Sequence, residues 1–69
     1  MDLARVVIEI VREKRPTFDE LRDEVERRGI FLDSRVLRSV VADLVRSKVL
    51  CKEWDPSAKR FRLLLCIEP

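Results

Sequence analysis

SRVLRSVVADLVRSKVLCKEW, residues 34–54, changes its hydrophobic period part-way along. Up to Ser47 the spacing is helical. Val36, Leu37, Val40, Val41, Leu44 and Val45 occupy one half of the wheel, and Arg35, Arg38, Ser39, Ala42, Asp43 and Arg46 the other. The β-branched pair at 40–41 would also suit a strand, but the half-and-half division selects a helix over 34–47. Past Lys48 the period shortens to two, and VLCKEW reads as a strand over 49–54.

The reading extends downstream through DPSAK, where Asp55 and Pro56 suit the first two positions of a type I turn. RFRLLLCI, 60–67, then forms the returning strand. Alternation places Phe61, Leu63, Leu65 and Ile67 on one side of it; Arg60 and Arg62 share the other with Leu64 and Cys66. Upstream, Asp33 is the natural N-cap of the helix, with Leu32 and Leu37 spaced as a hydrophobic staple. Ser34 is an alternative cap one residue later.

Further upstream, TFDELRDEVERRG opens with a capping box of Thr17 and Glu20 and closes on Gly29, which predicts a helix over 17–28. Its apolar edge is only Phe18, Leu21 and Val25, so it lies on the surface. Residues 2–14 predict the first helix, which ends before Pro16. Leu3, Val6, Val7, Ile10 and Val11, widened by Ala4 and Ile8, give it an apolar arc of about 200°. Such a helix is central in the fold or also faces a partner. Leu3, Ala4 and Ile8 are the candidate contacts of a homodimer, which would stabilise so small a core.

The chain has 69 residues, enough for one domain over 1–69. A domain this small buries only about 60% of its unfolded surface. No run of 18 apolar residues is present, and Glu9 and Glu13 interrupt any signal-peptide layout, so a cytoplasmic globular chain is expected. Twenty-eight charged residues with no Asn or Gln follow the pattern of hyperthermophile proteins. The absence of His removes most catalytic and metal options, and Cys51 and Cys66 alone cannot complete a four-ligand zinc shell. No enzyme activity, cofactor or small-molecule ligand is expected.

Net charge is +2 but unevenly spread: residues 16–33 carry three basic and six acidic groups, residues 34–69 eight basic and four acidic. A basic C-terminal half points to an anionic partner.

Three helices followed by a hairpin resemble the winged helix-turn-helix family over nearly the whole chain. VVADLVRSKVLCKEW carries most of the likeness: Val41 and Leu44 take the family's leucine-x-x-leucine positions, and Val49 and Leu50 its apolar pair entering the wing. Lys48 stands where a glycine is usual, so either the exit turn differs or a lysine adopts the left-handed angle. The link before the third helix is somewhat long.

The resemblance implies an α+β fold, mostly α, with 34–47 as recognition helix and 55–60 as the wing tip. It implies a DNA-binding transcriptional regulator whose partner is double-stranded DNA. Residue chemistry agrees, since arginine reads guanine with two hydrogen bonds and small side chains let a helix approach the bases. Arg35, Arg38 and Ser39 are candidates for base edges, Ala42 for close approach and Arg46 for a phosphate. Lys59 and Arg60 at the tip, with Arg62 behind, would reach the backbone or minor groove.

A protein-docking module without nucleic acid is the alternative, because an Arg-rich face also suits surface ion networks. Trp54 is expected to close the end of the core rather than stack on a base or a partner. Cys51 and Cys66 are expected as free buried thiols, with a bridge open if the strand register sets them opposite.

Overall fold

The computed structural model describes residues 2–66. Its elements run α1 (Leu3–Lys14), α2 (Phe18–Arg27), α3 (Ser34–Arg46), β1 (Leu50–Asp55) and β2 (Arg60–Leu65). Three helices followed by a two-stranded antiparallel hairpin make an α+β architecture with winged helix-turn-helix topology.

Each helix starts on a side-chain cap. Asp2 accepts from the Ala4 N–H at 3.1 Å, and Asp33, rather than Ser34, accepts from the Arg35 N–H at 2.7 Å. The capping box of α2 is complete. The Glu20 N–H donates to Thr17 Oγ1 at 3.3 Å, and the Thr17 N–H donates to Glu20 Oε1 at 3.0 Å. These contacts satisfy donors that a helix start leaves without intrahelical partners.

Two of the three helix exits use the same device. At the end of α2 the Gly29 N–H donates to the Glu26 carbonyl at 2.9 Å, and the Ile30 N–H to the Val25 carbonyl at 3.2 Å. At the end of α3 the Lys48 N–H donates to Val45 at 3.1 Å, and the Val49 N–H to Leu44 at 3.0 Å. Both are Schellman motifs, which need a left-handed residue at the first position past the cap. Gly29 supplies φ +86° and Lys48 φ +65°. The lysine therefore takes the angle for which glycine is usual.

The core is built from every element. Val7, Ile10 and Val11 of α1 meet Leu21 and Val25 of α2, Leu37 and Val41 of α3, Leu50 of β1 and Leu63 of β2. Helix α1 packs against α2, α3 and β2, which accounts for most of its wide apolar arc. Arg28 strengthens the α1–α2 seam through Glu9 and Glu13, each 3.7 Å away.

The ladder runs from Leu50↔Leu65 to Asp55↔Arg60 and reverses between Ser57 and Ala58. Asp55 Oδ1 accepts from the Ser57 N–H at 2.9 Å and the Ala58 N–H at 3.2 Å, which closes the turn. On its far edge, β2 meets the α1–α2 elbow. The Leu63 N–H donates to the Pro16 carbonyl at 2.8 Å, and Thr17 bridges Arg62.

Two expectations are corrected here. Cys51 and Cys66 are not free thiols but a disulfide, with Cα atoms 5.0 Å apart. Leu64, not Cys66, stands opposite Cys51. Cys66 lies just past the ladder, its N–H on the Val49 carbonyl at 3.1 Å, and bends within reach of Cys51. Trp54 does not close the core either: it is 52% exposed. It sits near the hairpin tip, beyond the apolar residues that reach the helices. Ile67, assigned to the returning strand, lies outside the described residues.

Candidate nucleic-acid interface

Alternation divides the hairpin by face. Leu50, Lys52 and Trp54 of β1 share one face with Phe61, Leu63 and Leu65 of β2, because directly paired residues point the same way. This face and the outer flank of α3 enclose a groove of about 530 Å³. Its apolar lining includes Val41 and Val45 of α3 and Leu63 of β2. Trp54 and Phe61, paired across the strands, form an edge-to-face contact with ring centroids 5.1 Å apart and planes at 71°. On the helical side the Arg38 guanidinium lies 4.5 Å from the centroid of the Phe18 ring.

Five cations line this groove: Arg38 and Arg46 from α3, and Lys52, Lys59 and Arg60 from the wing. Among the described residues, no carboxylate lines it. The wing tip and α3 thus present their positive charge to the same space. Lys59 holds a left-handed φ of +53° at the end of the turn.

The eight residues singled out from the sequence fall into three groups. Arg38, Ala42, Arg46, Lys59 and Arg60 all line the groove. Arg35 and Ser39 are exposed on α3 but do not line it. Arg62, grouped from the sequence with the wing cations, does not line this groove. It is one of a set of polar contacts at the α1–α2 elbow. Its Nε donates to Asp55 Oδ2 at 2.6 Å, and its Nη1 to Glu20 Oε1 at 2.9 Å and the Arg15 carbonyl at 3.1 Å.

The electrostatics of that cluster follow from its hydrogen bonds. The Arg62 guanidinium, then the Ala58 and Ser57 amides, hold the Asp55 carboxyl below its ordinary value. Glu20 is lowered first by the Thr17 amide and further by Arg62, against the opposing effect of burial. Arg62 is raised in turn, chiefly by its bond to Asp55.

Three other candidates also have carboxylate neighbours. Arg35 meets Asp33 at 3.2 Å, Arg60 meets Asp19 at 3.2 Å, and Arg46 pairs with Asp43. Their side chains are 90%, 63% and 72% exposed, so these are open surface pairs. Such pairs contribute at most about 1 kcal/mol and can exchange for another anion. The Arg35 contact lowers Asp33, first through the side chain and then through the backbone amide. Arg38 and Lys59 have no ion-pair partner among the described residues.

Sequence reasoning missed Lys52, Phe18 and Phe61, and ranked burial above stacking for Trp54. The signal was present in the alternation of LCKEW, which puts Lys52 and Trp54 on the face of the buried Leu50. Of the proposed dimer contacts, Leu3 packs against the core, whereas Ala4 and Ile8 are half-buried and line a shallow cleft on α1. Among the described residues, no helix is long and apolar enough to cross a membrane, and no group of three metal-binding side chains comes together.

No family model, curated protein or solved structure matches the chain. Its likeness to known proteins is therefore one of architecture, the topology of a winged helix-turn-helix domain.

Proposed function

We propose that the protein binds double-stranded DNA as a transcriptional regulator, with α3 in the major groove and the wing on the flanking backbone. The supporting observation is the groove between α3 and the hairpin, lined among the described residues by five cations and no carboxylate. Arg35, Arg38 and Ser39 are exposed early on α3 and would address base edges. Ala42 allows close approach, Arg46 meets a phosphate, and Lys59 and Arg60 reach the backbone or minor groove. Phosphate contacts position the chain while base contacts select the site. The exposed pairs with Asp33, Asp43 and Asp19 give way to phosphate at small cost. Arg62 supports the wing from behind instead of touching DNA. Pairing of two chains through Ala4 and Ile8 would place half-sites about one helical turn apart.

Titration of mixed-sequence duplex at rising salt tests the reading. About five phosphate contacts per chain give a log–log slope of about −4 to −5. A flat response, or no association at low salt, overturns it. Arg38→Glu combined with Lys59→Glu abolishes duplex binding and leaves the thermal midpoint nearly unchanged, because neither cation has a carboxylate partner among the described residues. A protein partner that survives those changes but is lost on Ile8→Glu would favour the docking alternative.

A further inference from the structure

The duplex reading leaves the aromatic side chains of the groove without a task. Phosphates on a duplex backbone call for cations, not for ring surfaces. Trp54 and Phe61 are nevertheless each 52% exposed, and they lie on the groove side of the hairpin. Burying these two rings inward would stabilise so small a core, yet the register holds them at the tip. Phe18 lies across from them with the planar Arg38 guanidinium on its ring. Flat surfaces and positive charge therefore occupy one space.

Size narrows the occupant. A volume of about 530 Å³ is that of a small-ligand site; the backbone of a duplex can lie across its cationic mouth, but only single, unpaired residues fit inside. An occupant must be anionic to match Arg38, Lys52 and Lys59, the lining cations without an ion-pair partner among the described residues, and planar to use the rings. Unpaired nucleotides meet both conditions, since a strand carries one phosphate per residue and every base has a π-face. An acidic peptide meets only the first.

We infer that the groove between α3 and the wing takes unpaired nucleotides of a DNA single strand, stacking their bases on the rings of Trp54 and Phe61 while Arg38, Lys52 and Lys59 hold the phosphates. The inference rests on the nucleic-acid reading of this face. It adds that the preferred ligand is a duplex continued by a single-stranded overhang, with α3 on the paired part and the groove on the unpaired part.

Three duplexes of the same sequence test it with the 69-residue chain: one blunt, one with a thymidine overhang, and one whose overhang keeps the phosphates but lacks bases. Association is followed by anisotropy of labelled DNA and by emission of Trp54, the one tryptophan. The thymidine overhang is expected to bind about tenfold tighter than the baseless one and to quench the tryptophan. Trp54→Leu, which keeps apolar bulk but removes the extended ring, reduces that preference to near unity without weakening blunt-duplex binding. Phe61→Leu does the same in part, with Trp54 still present as reporter. Equal affinity for all three duplexes with unchanged emission overturns the inference and leaves the duplex reading standing. Preference for either overhang without a base dependence overturns it too, reducing the groove to a phosphate track. Quenching by an acidic peptide and not by the thymidine overhang overturns it in favour of a protein partner. Binding of none of the duplexes removes both readings.

Discussion

The two faces of the hairpin are made by the same two strands and have opposite characters. One face turns Lys52, Trp54 and Phe61 toward α3, with both rings half exposed and the lysine free of any carboxylate partner among the described residues. The other carries Arg62, held by Asp55, Glu20 and the Arg15 carbonyl, and Cys51, bonded to Cys66. One face is open and the other is fastened. A period of two makes this division possible: adjacent residues of one strand face the anchor and the groove in turn. Charge alone does not mark the groove, because Lys59 and Arg62 are both wing cations with opposite surroundings.

Removing the fastening should separate the faces most strongly. Cys51→Ser with Cys66→Ser, or reduction, is expected to cost on the order of 3 kcal/mol for a loop of this size. DNA affinity measured well below the melting temperature should change little. Denaturant unfolding with and without reductant checks this, and coincident curves would show the bridge to be dispensable.

A smaller loss is expected for Arg62→Leu, which leaves Asp55 and Glu20 without their shared cation. It lowers the thermal midpoint but not affinity for DNA, the reverse of Arg38→Glu with Lys59→Glu. Acid sharpens the test. Asp55, Glu20 and Asp33 are all held below their ordinary values in the folded chain. Their stabilisation is therefore complete above the unfolded carboxylate range and is lost as pH falls through the lower folded values. The wild-type midpoint should decline below about pH 4. With Arg62→Leu the decline should be shallower, because Asp55 and Glu20 lose part of their depression; midpoints across the acid range decide.

The smallest effect belongs to the turn that delivers β1. Lys48→Gly removes the cost of a left-handed side-chain residue and should stabilise by about 0.5–1 kcal/mol. Gly29→Ala, at the matching exit of α2, should destabilise by about 1 kcal/mol although a Cβ there meets nothing within 4 Å. Opposite signs at two equivalent positions would confirm that the angle, not the space, is decisive.

Periodicity made the helices and the hairpin legible, since burial at one face imposes a repeat that a sequence displays directly. The caps were legible for a similar reason: Thr17, Glu20 and Asp33 act on neighbours within three residues. Contacts set by register were not. Whether Cys51 reaches Cys66 depends on the ladder reversing between Ser57 and Ala58 and on a bend past its end. A shift of one residue would redirect the thiol. Arg62 and Lys59 look alike in sequence, and only the elbow at Pro16 and Thr17 brings Glu20 to the former. Trp54 misled because aromatic bulk signals burial unless its position relative to the tip is known. Arg38, Arg46 and Lys59 could be grouped from charge pattern, but Lys52 required counting alternation through β1.

The elbow contact with β2 has a consequence for self-association. Strands with an unpaired edge invite another chain to extend the sheet, and a bare hairpin has two such edges. Here Pro16 and Thr17 cover the outer side of β2. Among the described residues the outer edge of β1 has no backbone partner, and β1 displays Lys52 and Glu53 to solvent at its middle. Charged side chains there discourage fibril-like stacking, so a crowded solution of this small chain has one guarded route to aggregation instead of two.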